Sequence, residues 1–159
     1  MRGKLVRGFG HWVMVCKEDV SAYERSVLEA GVCATSAQVH RLLRERALSE
    51  GVERMYVVGL DGRNRVVLLH ELSRGGMHGC GVLVPDVLRV ALMGHCSAFV
   101  LCHNHPSGDP TPSAEDVALT RAVAEGARVV GVPLVDHVVI GGVERYCSML
   151  DMGLLGEAG

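Results

Sequence analysis

The sequence predicts a mixed α/β fold, a central β-sheet flanked by helices in a single domain. Three observations carry that reading. Segments rich in Val, Leu, Ile and Tyr alternate along the chain with segments whose apolar residues recur every three to four positions. After Ser97, the run Ala98-Phe99-Val100-Leu101-Cys102 is unbroken apolar, as expected of a buried strand. After Ser113, apolar residues gather on one helical face and charged ones on another. A chain of 159 residues is long enough to bury a full core.

Taken in order, residues 12–16 (Trp12-Val13-Met14-Val15-Cys16) read as a strand. Over residues 18–31, Ser21 followed by Glu24 has the pattern of a capping box opening a short helix. Thr35 or Ser36 caps the next helix, whose apolar stripe is Val39, Leu42, Leu43 and Ala47. Residues 55–60 and 65–72 are strands, and Asp61-Gly62-Arg63-Asn64 between them signals a hairpin. Pro85 suits the first position of a helix, where its missing N–H costs nothing. That helix is expected to bury Val87, Leu88, Ala91 and Leu92 and to stop at Gly94. Residues 97–102 form the central strand. The helix after Ser113 should bury Leu119, Ala122, Val123, Gly126 and Val130 and expose Arg121, Glu125 and Arg128. Gly131-Val132-Pro133 ends it, and residues 134–140 form a last long strand. There are no internal repeats or low-complexity linkers.

Composition narrows the function classes. No run of about 18 apolar residues is present, and the basic N-terminus (Arg2, Lys4, Arg7) is followed by only a short apolar patch. A soluble, cytoplasmic protein without a membrane segment is the expectation. The six cysteines contain no Cys-x-x-Cys pair, which argues against a thiolate zinc ribbon; Cys96 and Cys102 read as small core residues. The glycine-rich segment from Gly75 to Gly81 lacks the Gly-Lys-Ser/Thr ending of a phosphate loop and reads as a rim beside a site, with His78 on it. Arg41, Arg44, Arg46 and Arg54 make a local basic cluster. A net charge of −2 and an aromatic content of 4% nevertheless speak against strong nucleic-acid binding.

The chemistry concentrates between His103 and Asp116. His103 and His105 end the apolar strand two residues apart, and residues i and i+2 of a strand face the same side, so two ring nitrogens converge. Pro106 closes the strand and keeps His105 extended. The turn-rich segment Gly108-Asp109-Pro110-Thr111-Pro112 brings Ser113-Ala114-Glu115-Asp116 back over the histidines as the first turn of a helix. Two imidazoles and one carboxylate would hold a zinc ion and leave its fourth tetrahedral position to water, the donor set of a hydrolytic site. Taken singly, Ser113 and Asp116 form a helix cap, and strand-end histidines are hydrogen-bonded core residues. The joint pattern is hard to explain by packing alone, and capping does not exclude ligation. Asp136-His137 on the last strand reads either as support behind this site or as a buried hydrogen-bonded pair. The adjacent letters His103-Asn104-His105 are not an HNH nuclease motif, which spreads its residues over a long ββα unit.

The spacing His-x-His, seven residues, Ser, two residues, Asp, met by His103, His105, Ser113 and Asp116, resembles the motif of the JAMM (MPN-plus) zinc metalloproteases. The longer string HNHPSGDPTPSAEDVALT, with DGRNRVVLLHELSRGG upstream and LVDHVVIG downstream, resembles the RadC branch of that superfamily. The resemblance spans residues 35–150 and leaves 1–34 as an N-terminal extension and 151–159 as a tail. It implies a JAMM/MPN-like (cytidine-deaminase-like) fold, zinc as the cofactor, and peptidase or isopeptidase-like hydrolysis of a protein or peptide substrate. It also implies a glutamate on a strand edge upstream, which takes a proton from the attacking water and passes it to the leaving amine. Glu71, at the end of the strand over 65–72, fits that place. On the same analogy Ser113 donates a hydrogen bond to the oxyanion. Two departures stand out: nothing in residues 1–34 resembles the helix-hairpin-helix region common in RadC proteins, and Pro85-Asp86-Val87 replaces the usual Pro-Arg-Glu. The alternative class is a non-catalytic zinc-containing module for protein interaction or DNA association, in keeping with the historical DNA-repair label of the RadC branch. An intact Glu71 argues against it.

Overall fold

The computed structural model describes residues 3–8, 11–16, 31–49, 51–75 and 81–156, the first two segments as backbone alone. The expected helix over 18–31 with Ser21 and Glu24, and the glycine-rich rim with His78, lie outside the described residues apart from their end positions. Strands β1 (Gly3–Gly8) and β2 (His11–Cys16) pair antiparallel as a separate two-stranded sheet; β1 had no sequence signal. The rest of the order is α1 (Ser36–Leu48), β3 (Arg54–Leu60), β4 (Val66–Arg74), α2 (Val84–Met93), β5 (Ala98–Asn104), α3 (Ala114–Val130), β6 (Leu134–Ile140) and β7 (Tyr146–Ser148).

The main sheet has the order β4-β3-β5-β6-β7. Only β5 and β6 run parallel, joined by the crossover through α3; the other neighbours are antiparallel, which makes the sheet mixed. The alternation of side chains along each strand divides the core into two layers. On one face Tyr56, Val58, Leu60, Val100, Cys102, Val138 and Ile140 pack with Val39, Leu43 and Ala47 of α1. On the other, Met55, Val57, Leu68, Phe99 and Leu101 pack with Val87, Val90 and Ala91 of α2 and Val123 and Ala127 of α3. The protein is therefore α/β with helices on both faces of a mixed sheet, as the sequence predicts.

Local chemistry explains the boundaries. Thr35 caps α1 in a full capping box with Gln38. Asp61 accepts from the backbone N–H groups of Arg63 and Arg65 and so tightens the β3–β4 hairpin, where Asn64 takes φ +57°. Pro85 lies in the first turn of α2. Two apolar stripes shift from expectation. In α2, Val90 is buried and Leu92 is 45% exposed; in α3, the buried residues are Thr120, Val123 and Ala127, while Val130 is 40% exposed. Ala91 is buried as expected, whereas α3 turns so that the small Ala127 packs into the core and Ala122 is exposed, a choice made by packing that a broad apolar stripe does not resolve. Strand β5 runs through His103 and Asn104, two residues past the apolar run 97–102.

Candidate metal centre

The site forms where the C-terminal end of β5 meets the N-terminus of α3. Along β5, Phe99 and Leu101 face the α2/α3 layer, so His103 does too, and the chain continues extended as the backbone N–H of His105 donates to the Ile140 carbonyl at 2.9 Å. Cys102 faces the α1 layer instead, as its position predicts. Asp116 reaches the histidines from the first turn of α3. Its Oδ1 lies 3.4 Å from His103 Nε2 and its Oδ2 3.3 Å from His105 Nε2, and the two Nε2 atoms are 2.9 Å apart. Asp116 also serves the capping box: Ser113 N–H donates to its Oδ2 at 2.8 Å, and its own N–H donates to Ser113 Oγ at 3.1 Å. Capping and membership of the cluster coexist in one residue. Burial by itself raises the Asp116 carboxyl pKa, but its contacts with the His103 and His105 rings outweigh it and hold the group well below the usual carboxylate range.

The fourth member is Glu53. Glu53, His103, His105 and Asp116 each offer a ligand atom, and these atoms lie within 4.8 Å of one another. Register accounts for it. Met55 pairs with His103 on the antiparallel β3, so Glu53, two residues earlier, falls beside His105 and on the same face. Asn104 faces the other way and holds this segment: Arg54 N–H donates to its Oδ1 at 2.9 Å, and its Nδ2 donates to the Val52 carbonyl at 2.9 Å. The backbone on both sides of Glu53 is thus tied to the residue between the two histidines.

Glu71, expected here as the general base, is elsewhere. It pairs with Tyr56 across β3 and β4 and so lies on the α1 face, opposite to His103. Its Oε1 accepts from Arg74 Nε at 2.8 Å and its Oε2 lies 3.5 Å from Nη1 of the buried Arg54. The expectation is corrected by a face and not by a distance along the chain: β4 ends near the site, but Glu71 points away from it. Glu53 was missed because a lone acidic residue before a strand carries no signal until the pairing register is known.

Behind the histidines lies a buried chain of contacts. His103 Nδ1 is 2.7 Å from His137 Nε2, and His137 Nδ1 is 2.6 Å from Thr120 Oγ1. Burial pushes the pKa of His137 well below its ordinary value, so its ring is neutral. Asp136 points to the opposite face, where it accepts from Ser148 Oγ and the backbone N–H groups of His137 and Leu150. The dipeptide therefore divides: His137 supports the site and Asp136 fastens the β6–β7 edge. On the outer side, His105 Nδ1 donates to the Asp109 carbonyl at 2.8 Å.

A protein-family model for the RadC-like JAB domain matches residues 33–154. The chain belongs to that family. Its relatives include UPF0758 proteins of Syntrophomonas wolfei (36% identical over 121 residues, 74% of this chain and 51% of the relative) and Pelobacter propionicus (39% over 103 residues, 65% and 44%). Another, from Methanococcoides burtonii, is 36% identical over 117 residues, 74% of this chain and 51% of the relative. The chain spans about half the length of these curated relatives. Membership accounts for the JAMM-type fold of this RadC-like domain. No helix among the described residues is long and apolar enough to cross a membrane.

Proposed function

We propose that this RadC-like domain is a zinc-dependent peptidase or isopeptidase-like hydrolase acting on a protein or peptide. The observation that carries the reading is the convergence of two imidazoles and two carboxylates within 4.8 Å at one end of the sheet. The donor set suits zinc. Tetrahedral zinc with bonds near 2.0–2.1 Å has ligand–ligand edges of about 3.3 Å, and the contacts among His103, His105 and Asp116 are 2.9, 3.3 and 3.4 Å. These three would hold the ion. When bound, it would supply Lewis acidity, lowering the pKa of a water to about 7 and polarising the scissile carbonyl.

The chain's own groups supply the proton transfers. Glu53 shares the face of the three ligands but is not among the contacts of 2.9–3.4 Å that they make with one another. Its carboxylate takes a proton from the attacking water and later delivers it to the leaving nitrogen. Ser113 Oγ accepts from Asp116 N–H, a bond that leaves its own hydrogen to donate, and that hydrogen steadies the oxyanion.

Metal analysis together with hydrolysis of quenched fluorescent peptides and isopeptide-linked dipeptides tests the reading. Wild type should carry about one zinc per chain and Asp116→Ala much less. Glu53→Gln should keep zinc and lose hydrolysis, while Glu71→Gln should retain both. Loss of zinc in Glu53→Gln would make Glu53 a ligand. Metal-dependent nicking of duplex DNA that disappears in His103→Ala would replace amide hydrolysis by a nuclease reaction.

A further inference from the structure

We propose that Thr120 and His137 form a buried relay that fixes the tautomer of His103, leaving its Nε2 lone pair turned toward His105 and Asp116. The proposal rests on the reading of His103 as a ligand and assigns the residues that make it one. Thr120, His137 and His103 are all 0% exposed, so water cannot substitute for a partner in the chain.

Counting hydrogens settles the direction. Two electronegative atoms as close as about 2.7 Å need one hydrogen between them. Thr120 Oγ1 lies 2.6 Å from the Asp116 carbonyl oxygen and 2.6 Å from His137 Nδ1, and it owns a single hydrogen. A carbonyl oxygen has none to give. The hydroxyl therefore donates to Asp116, the usual back-bond of a helical threonine to the carbonyl four residues earlier, and His137 Nδ1 must supply the other hydrogen. A neutral imidazole carries one, so His137 Nε2 is bare and accepts, and the hydrogen of the 2.7 Å contact sits on His103 Nδ1. His103 Nε2 is left bare. The reverse direction would leave two oxygens 2.6 Å apart with no hydrogen between them, and it would put a hydrogen on His103 Nε2 where a ligand needs a lone pair.

His105 arrives at the same state by a different route, because the Asp109 carbonyl takes its Nδ1 hydrogen. Two bare Nε2 atoms then face each other at 2.9 Å, a repulsive contact that a cation between them turns into coordination. The fold thus sets both histidines in their ligating form from opposite sides: a helix hydroxyl acting through His137 on the buried side, and a loop carbonyl on the exposed side. Such partners orient ligand rings and raise their basicity.

Long-range proton–nitrogen NMR correlation on the metal-free chain, at a pH above the imidazole range, reads the tautomers directly. The expected result is Nδ1–H at both His103 and His137; Nε2–H at either overturns the relay, whether or not the chain takes up metal. Zinc affinity is measured in parallel by competition with a chromophoric chelator. Thr120→Val keeps the shape but removes the acceptor of His137, and should weaken zinc binding by about 10–100-fold. Thr120→Ser should restore it. Wild-type affinity in Thr120→Val also overturns the relay. A wild-type chain that binds no zinc would instead remove the hydrolase reading, and the tautomers would still decide the relay.

Discussion

At the scale of single residues, the site depends on groups that carry no chemistry of their own. Asn104 is buried, at 1% exposure, and bridges Arg54 N–H and the Val52 carbonyl on either side of Glu53. Asn104→Ala leaves both backbone groups without that partner and should destabilise the fold by about 1–3 kcal/mol. It should also loosen Glu53 and lower kcat by on the order of 10²-fold with zinc content unchanged, because misplacing a catalytic group by about 1 Å costs that much. Calorimetry, metal analysis and turnover on the one variant check the three parts. Glu71 illustrates the opposite case, a charged residue near the site in sequence whose work is structural. Its removal strips one carboxylate partner from the buried Arg54, so Glu71→Ala should lower stability in a denaturant titration and leave zinc affinity intact.

At the scale of elements, α3 begins as part of the site. Ser113 and Asp116 cap it reciprocally, and Asp116 is at the same time in contact with both histidines. If the Ser113 hydroxyl only caps, Ser113→Ala should cost about 1 kcal/mol and spare turnover. An additional role at the oxyanion would appear as a fall in kcat of roughly 10²–10³-fold with unchanged zinc, which is the outcome expected here. The loop between β5 and α3 is held as tightly. A Cβ on Gly141 would come within 2.6 Å of the Gly108 carbonyl oxygen and 2.8 Å of Pro110 N, backbone atoms that cannot step aside. Gly141→Ala should therefore displace the loop that carries the Asp109 carbonyl, free the Nδ1 of His105, and weaken zinc binding by about 10–100-fold. A Kd equal to wild type would show that this loop does not orient His105.

At the scale of the whole molecule, the cluster links stability to pH and metal. In the metal-free chain the pKa of His105 is raised, chiefly by its hydrogen bond with Asp116. A raised histidine contributes stability that is fully present below about 6.5 and is lost as pH climbs through the folded value. The lowered Asp116 has the opposite sign: its contribution is present above about 3.9 and is lost as pH falls through the folded value. With chelator present, the melting temperature should thus decline as pH rises above about 6.5. With saturating zinc it should instead rise over the same interval, because the ion competes with protons for the imidazoles. Parallel slopes with and without zinc would show that the metal does not bind at His105.

Much of this protein was legible along the chain. The alternation of strand and helix, the hairpin at Asp61, the cap at Thr35 and the facing of His103, His105 and Asp116 follow from periods of 2 and 3.6 residues and from turn chemistry, which act over short spans. What only the tertiary structure decided are the relations between segments distant in sequence. The register of β3 against β5 puts Glu53 at the site, and that of β4 against β3 turns Glu71 away from it, since a shift of one residue reverses every side chain. The rotation of α3 buries Thr120, and the parallel pairing of β5 with β6 brings His137 to His103. Neither has a local pattern to announce it, because each hydrogen bond in that chain of contacts is between residues on different elements or different turns, and only the packed core sets their distance.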